Sequence, residues 1–253
     1  MQTHSQFRLL AQKRFLPFFI AQTLGAFNDN VFKNALVIFV TFGALNLSEQ
    51  QQATYSNLAL VLFILPLFLF SATAGQLAEK FEKSLLIRRV KLLELVIALL
   101  AAVGFWMQSL PLLFGVLFLL GAQATFFGPV KYSILPQTLH REELVGGNAL
   151  VETATSLAIL LGTLTGGVLM ALNAGTHWVS VCVVALALAG WFASRSVPEA
   201  AAAAPELKVN WNLFTETARN LGFMRQNRTV LLAAMGISWF WFYGAMIMGQ
   251  LPG

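Results

Sequence analysis

The sequence has 253 residues, and its composition, more than its length, decides its class. Hydrophobic residues make up 57% of the chain and charged residues only 11%, whereas about 25% of the residues of a soluble domain are charged. So few charges could not cover a globule in water, and 22 phenylalanines argue against a disordered chain. An ordinary soluble protein is therefore excluded, and the single cysteine, Cys182, excludes an intrachain disulfide.

Seven stretches are long and apolar enough to cross a bilayer, for which a helix needs about 20 residues. Span 1 is retained and is not a cleaved signal peptide, because its apolar run continues past a polar centre and six more spans follow it. The predicted ranges of spans 1 to 7 are 15–42, 55–78, 90–108, 110–130, 146–172, 176–195 and 229–250. The sequence therefore predicts an all-α membrane protein.

The basic residues are segregated along the chain. All of them except Lys33 lie at the N-terminus, after span 2, after span 4 or after span 6, which are segments on one side of the membrane. A net charge of +5 might otherwise suggest nucleic acid, but this segregation follows the positive-inside rule and predicts a cytoplasmic N-terminus. The cluster that we assign to the loop after span 2 holds Lys80, Lys83, Arg88, Arg89 and Lys91.

The order of the spans predicts three parts. Residues 1–195 form a transmembrane bundle of six helices, residues 196–228 a cytoplasmic linker, and residues 229–253 a seventh transmembrane helix. Within the linker, apolar residues at helical spacing from Asn210 to Arg225 predict a short helix on the membrane surface. Because a lone seventh helix is an unusual place to end, we expect the chain to be a fragment of a longer protein whose second bundle is truncated here.

Span 1 carries a narrow polar stripe. Gln22, Asp29 and Lys33 fall within an arc of roughly 40°, and Asn28 and Asn30 widen the polar region. Charges at membrane depth are costly, so this stripe should face protein or water. It either lines a transport cavity, with Asp29 binding a cationic group or a coupling ion, or holds a self-neutralised Asp29–Lys33 pair that allows insertion.

Spans 4 and 5 add four polar candidates. Gln123 lies within span 4, and Lys131 follows Gly128–Pro129, which should kink or end that span. Lys131 either reaches the lipid headgroups or takes a substrate or gating role. On span 5, Asn148 and Glu152 share a face, and Glu152 either lines the cavity or pairs with Lys131 as a gate or brace.

Two further observations concern packing and chemistry. Gly162 and Gly166 form a small-xxx-small pattern, which predicts close helix packing.

The sequence contains no Walker A motif, no dinucleotide-binding glycine motif, no HExxH zinc motif, no cluster of metal ligands and no His-x4-Asp acyltransferase pair. We therefore predict a protein without catalytic residues, cofactor or metal, in which the polar spans form a path for transport.

The turn between spans 2 and 3 resembles the signature of the major facilitator superfamily, Gly-x-Leu-x-Asp-Arg-x-Gly-Arg-Arg. Glu79 takes the place of the acidic residue, and Glu82 replaces the second glycine. The resemblance implies two six-helix bundles with alternating access, and a conformational loop whose charges, Glu79 above all, favour the outward-open state. The matching or nearby residues of this loop are Gly75, Leu77, Glu79, Lys80, Lys83, Arg88 and Arg89.

Three longer stretches resemble the bacterial lysophospholipid transporter family. They are Gly25–Asn30, Gly128–Leu135 and Gly147–Leu169, and the text of span 7 is similar to the variant fused to a lysophospholipid acyltransferase and acyl-carrier-protein synthetase. The resemblance implies movement of lysophospholipids, chiefly lysophosphatidylethanolamine, to the cytoplasmic leaflet of the bacterial inner membrane for re-acylation. Its partners would be membrane lipids and the acyltransferase, fused or separate. Lys33 departs from family members that have an apolar residue at this position.

Two other functions remain open at this point. The same fold could serve as a proton-coupled permease for drugs or small metabolites. The chain could also be the membrane anchor of a fused acyltransferase and transport nothing itself.

Overall fold

The computed structural model describes residues 6–43 and 47–250, and all regular structure in these ranges is helical. Two short 3₁₀ turns, Gln6–Ala11 and Arg141–Glu143, precede α1 and α6. The nine α-helices are α1 Leu16–Phe42, α2 Glu49–Lys80, α3 Lys83–Trp106, α4 Leu110–Ser133, α5 Leu135–Thr138, α6 Leu144–Ala171, α7 Gly175–Ser194, α8 Leu213–Gln226 and α9 Arg228–Gln250, counted within the described ranges.

The long helices coincide with the predicted spans. Within the described residues, α2, α4, α6 and α7 are long and apolar enough to cross a membrane. The helices α1 and α3 have 27 and 24 residues but carry charges in their apolar runs, Asp29 and Lys33 in α1 and Lys91 and Glu94 in α3. The all-helical membrane class is confirmed, whereas six spans plus a seventh stays a prediction.

Two predicted boundaries need correction. The helix α3 begins at Lys83, well before the predicted start of span 3, because the Glu82 carboxylate caps it by accepting hydrogen bonds from the backbone N–H groups of Ser84 and Leu85. Gly128–Pro129 does not end α4, which continues to Ser133. A proline inside a helix removes one backbone hydrogen bond, and neighbouring helices make this tolerable in membrane proteins.

The chain divides into two compact units, Met1–Val209 and Asn210–Gly253. In the first unit α1 packs on α6 and α7, α2 packs on α4, and α3 packs on α4 and α7. Its largest apolar cluster contains Phe32, Phe39 and Phe105, whose rings meet edge to face with centroids 5.7 Å apart. The polar residues of α1, α3, α4 and α6 are brought together beside this cluster.

The second unit contains α8 and α9. Asn212 caps α8, and its side-chain oxygen accepts hydrogen bonds from the N–H groups of Phe214 and Thr215. The helix α8 lies in the region where a linker helix is predicted. Its Phe214 and Leu221 side chains are exposed within the unit, and Glu216 is buried and paired with Arg219. The prediction that α8 lies on the membrane surface stays a prediction.

The predicted close packing through Gly162 and Gly166 is present between α6 and α1. A Cβ atom at Gly162 would lie 2.6 Å from the backbone oxygen of Phe27, and one at Gly166 would lie 2.6 Å from that of Val31. Neither oxygen can move away without shifting α1. Glycine at both positions therefore lets the two helices approach, and Asn34 adds a hydrogen bond from its Nδ2 to the Thr163 carbonyl, 2.7 Å long.

We expect the Gly162→Ala variant to be destabilised by about 1–3 kcal/mol, the usual range for overpacking a close contact. The matched control is Gly115→Ala in α4, where a new Cβ would meet open space. That control should be neutral or slightly more stable, because alanine favours helix by about 1 kcal/mol over glycine. The measurement is the thermal unfolding midpoint of each purified protein in detergent. Equal midpoints for the two variants would contradict the packing described here.

Candidate functional site

A cavity of about 210 Å³, lined by charged, polar and apolar residues, lies in the first unit between α1, α3, α4 and α6. Four of the nine predicted pathway residues line it: Gln22, Asp29, Gln123 and Lys131. The sequence placed pathway candidates on spans 1, 4 and 5, so the contribution of α3 was missed. The remaining polar side chains of the lining are Lys91, Glu94, Tyr132 and Thr155.

Asp29 is the only aspartate in the sequence, and its carboxylate faces this cavity. Its Oδ1 atom is buried and has no hydrogen-bond partner. The predicted pair with Lys33 is not formed as an ion pair within 4 Å. The Lys33 ammonium lies instead over the Phe63 ring, 4.3 Å from its centroid, in a cation–π contact with α2. Asp29 is therefore not neutralised by direct contact with its neighbour on the helix.

A charged cluster on α3 and α4 forms the inner wall of the cavity. Lys91 and Glu94 are each 1% exposed, and Lys91 Nζ donates a hydrogen bond to Glu94 Oε2 over 2.6 Å. Gln123 Nε2 donates to the same oxygen over 3.0 Å. Gly25 makes the arrangement possible, because a Cβ atom there would collide with Lys91 Nζ. We name this group the α3 cluster: Lys91, Glu94 and Gln123.

The α3 cluster corrects the assignment of Lys91 to the loop after span 2. Lys91 lies well inside α3 and is fully buried. The sequence spacing of three residues between Lys91 and Glu94 could have revealed this cluster, because residues three apart share one helix face. A lysine and a glutamate on one face of an apolar helix point inward in the same way as the stripe of α1.

Lys131 and Glu152 form an ion pair. This pair is one of the two alternatives that the sequence left open for Glu152. Lys131 Nζ lies 3.3 Å from Glu152 Oε1, and the Tyr132 hydroxyl donates to that oxygen over 2.8 Å. Lys131 Nζ also donates to Thr155 Oγ1 over 3.0 Å, and Thr155 Oγ1 lies 3.2 Å from Gln22 Oε1. The Lys131 side chain is 11% exposed, whereas that of Glu152 is 50% exposed. The network therefore links α4, α6 and α1 at the side of the cavity.

The other predicted pathway residues lie outside the cavity lining. Asn30 and Asn148 donate to backbone carbonyls of their own helices, those of Ala26 and Leu144. Asn28 is buried, and its Oδ1 has no hydrogen-bond partner. Lys33 also lies outside the lining, with its ammonium over the Phe63 ring.

The predicted conformational loop is mostly helical. Gly75, Glu79 and Lys80 lie in the last turns of α2, whereas Lys83, Arg88 and Arg89 lie in the first turns of α3. A new Cβ at Gly75 would meet nothing within 4 Å, so packing inside the first unit does not require this glycine.

Residues 197–204, which we call the alanine segment, bind to this turn. The Lys83 backbone N–H donates to the Ala200 carbonyl over 2.9 Å, and the Ala200 N–H donates to Glu82 Oε1 over 3.1 Å. The linker was predicted as a connection only, yet its first part is held against the α2–α3 turn. Three further contacts join Lys83 Nζ to Ala201 O, Arg88 Nη2 to Val197 O, and Ala204 N to Glu79 O.

The Glu82 carboxylate is the centre of these contacts. Burial by itself would raise its pKa, but the hydrogen bonds from the Ser84 hydroxyl and from the backbone N–H groups of Ala200, Leu85 and Ser84 outweigh burial and lower the pKa below its ordinary value. A lowered pKa means that the contacts contribute stability above the ordinary pKa of a glutamate, and this contribution is lost as the pH falls through the lowered value. The contribution of the Glu82 carboxylate to the docking of the alanine segment is therefore present at neutral pH.

Comparison with known proteins agrees with this geometry. The family model of the Major Facilitator Superfamily matches residues 18–252. The chain is 32% identical over 235 residues to the lysophospholipid transporter LplT of Escherichia coli (strain SE11), and 32% identical over 232 residues to that of Escherichia fergusonii. In both cases the match covers 90% of this chain and 54% of the relative, so the chain spans about half the length of these curated relatives.

Both resemblances seen in the sequence motifs are thereby confirmed. The superfamily match covers nearly the whole chain, including the α2–α3 turn and all four cavity helices. With its long apolar helices, the chain is an integral membrane protein, and it belongs to the major facilitator superfamily.

Proposed function

We propose that the protein is a lysophospholipid transporter of the bacterial inner membrane. By alternating access it moves lysophospholipids, chiefly lysophosphatidylethanolamine, to the cytoplasmic leaflet. In that leaflet an acyltransferase, fused or separate, re-acylates them. The similarity to two lysophospholipid transporters supports the cargo, and the segregation of basic residues supports a cytoplasmic N-terminus. The chain itself carries out no reaction.

The observation that carries the proposal is a cavity that holds both signs of charge between apolar helices. Asp29 and Glu94 supply carboxylates, and Lys91 and Lys131 supply ammonium groups. Such charges are costly at membrane depth and are kept where a polar path is needed. A zwitterionic headgroup, with one phosphate and one ammonium, matches this lining better than an apolar drug or an uncharged solute does.

The apolar part of the cargo needs no polar path. We propose that the headgroup passes through the cavity while the acyl chain stays at the apolar flank of the bundle. Exposed apolar side chains on the surface of the first unit, such as Leu160 on α6 and Leu99 on α3, are compatible with that arrangement. In this scheme residues 1–195 act as the first bundle and residues 229–253 begin the second.

The test is uptake by cells that express the protein, with labelled lysophosphatidylethanolamine compared with a panel of drugs and polar metabolites. We expect uptake of the lysolipid above that of empty-vector cells and no uptake of the panel. Uptake of panel compounds driven by a proton gradient, without the lysolipid, would favour the permease instead. No uptake of any compound by a correctly inserted protein would favour the membrane anchor.

A further inference from the structure

Two buried carboxylate oxygens of the cavity have no hydrogen-bond donor. Glu94 Oε2 accepts from both Lys91 and Gln123, whereas Glu94 Oε1 accepts from nothing although the residue is 1% exposed. Asp29 Oδ1 is likewise buried and unpartnered. Buried acceptors in native proteins are normally satisfied, and each one left alone costs about 1–3 kcal/mol. Both oxygens can therefore accept a hydrogen bond from a group that enters the cavity.

The charges around these two oxygens indicate what kind of donor fits them. Lys91 balances one of the two carboxylates, and its ammonium is already committed to Glu94 Oε2. Lys33 lies over Phe63, and Lys131 contacts Glu152 and Thr155. Among the described residues, none of these three cations therefore contacts Asp29 directly. Carboxylate oxygens only accept hydrogen bonds, so the complement is a cation with several N–H donors.

We propose that Asp29 Oδ1 and Glu94 Oε1 bind a primary ammonium group of the cargo. The proposal rests on the proposed function, in which the cargo is a lysophospholipid. It adds that this site binds the ammonium group of the headgroup. A primary ammonium has three donors and one positive charge, which suits two carboxylate oxygens that accept no other hydrogen bond. A trimethylammonium has the charge but no donor, and a glycerol headgroup has donors but no charge.

The α3 cluster sets the geometry of this site. Lys91 and Gln123 hold Glu94 by one oxygen, which leaves the other free for the ligand. The cluster is itself positioned by Gly25, whose missing side chain lets Lys91 approach α1. Glu94 is thus a binding residue that the sequence motifs did not reveal, and Lys91 and Gln123 are positioning residues.

The experiment is binding to the purified protein in detergent, measured by competition with labelled lysophosphatidylethanolamine. The competitors are the ethanolamine, choline and glycerol lysolipids with one acyl chain, and free ethanolamine. For the wild-type protein we expect the ethanolamine lysolipid to bind at least tenfold more tightly than the other two. In Glu94→Gln this preference should fall to about twofold, mainly through weaker binding of the ethanolamine lysolipid.

Two further variants keep the test decisive. Glu142→Gln makes the same change at an exposed position on the turn before α6 and should retain the full preference. If Glu94→Gln is not stably folded, Lys91→Met combined with Glu94→Gln removes the buried charges together and should also lose the preference. Free ethanolamine carries the same ammonium group and should compete only at a large excess over the lysolipid, because it lacks the phosphate and the acyl chain.

The failures of the two proposals are distinguishable. No binding or uptake of any lysolipid by the wild-type protein contradicts the proposed function. Binding of all three lysolipids with equal affinity, or an unchanged tenfold preference in Glu94→Gln, contradicts the ammonium site and leaves lysolipid transport standing.

Discussion

Replacing Lys91 with methionine should destabilise the protein by about 3–5 kcal/mol, the cost of leaving a buried charge without its partner. Glu94 is 1% exposed, and among the described residues Lys91 Nζ is the one charged group that donates a hydrogen bond to it. Methionine fills a similar volume, so the loss comes from the charge and not from a void. At about 2–4 °C per kcal/mol for a domain of this size, the unfolding midpoint should fall by on the order of 10 °C.

The second variant of a double-mutant cycle separates charge from packing. Glu94→Gln in the Lys91→Met background removes the unpaired charge and should restore much of the lost stability, so that the double variant is more stable than Lys91→Met alone. Lys208→Met at an exposed position is the control and should leave the midpoint unchanged. Thermal unfolding in detergent is the measurement. Simple additivity of the two substitutions would contradict the buried pair.

Replacing Asp29 with asparagine should lower lysophosphatidylethanolamine uptake roughly 10- to 100-fold. Hydrogen bonds to a charged group contribute about 1.5–3 kcal/mol, and each 1.4 kcal/mol corresponds to a factor of ten. Asparagine has nearly the same shape as aspartate but lacks the charge, and half of its polar end donates hydrogen bonds. Because Asp29 Oδ1 has no partner in the structure, the substitution breaks no existing bond of that atom, and the protein should fold and insert normally.

The uptake assay measures both the initial uptake rate and the amount of transporter in the membrane. Initial rates in cells are divided by the amount of protein in the membrane, and Glu142→Gln serves as the charge-removal control at an exposed site. Uptake by Asp29→Asn at the wild-type rate, with wild-type expression, would remove Asp29 from the mechanism.

Most of the helices could be predicted because membrane spans are long and nearly continuous in sequence. The predicted span 1, residues 15–42, and the helix Leu16–Phe42 differ by one residue at the start. The α2–α3 turn was harder to place, since Lys83, Arg88 and Arg89 are charged as in a loop but are helical. Their helix begins early because the carboxylate of Glu82 caps it. Hydropathy averaged along the sequence does not detect a helix cap.

The cavity could be predicted only in part, because periodicity reports which residues share a helix face but not which faces meet. Asp29 and Gln22 were found from one helix alone. Lys91 and Glu94 escaped because Lys91 was counted with the basic cluster before it. The contact of Lys33 with the Phe63 ring could not be predicted, because it depends on which face of α2 meets α1. The docking of the alanine segment on Glu82 depends on contacts between residues more than 100 positions apart, for which the sequence carries no local signal.

The proposed transport route requires that Asp29 lies in a cavity that water and headgroups can enter. Its test is the reaction of Asp29→Cys, in a Cys182→Ala background, with a charged, water-soluble methanethiosulfonate reagent, beside Leu117→Cys in the dry core of α4. We predict that the cysteine at position 29 reacts and that lysophosphatidylethanolamine slows this reaction, whereas the cysteine at position 117 does not react. A cysteine at position 29 as inert as the one at position 117 would contradict the account.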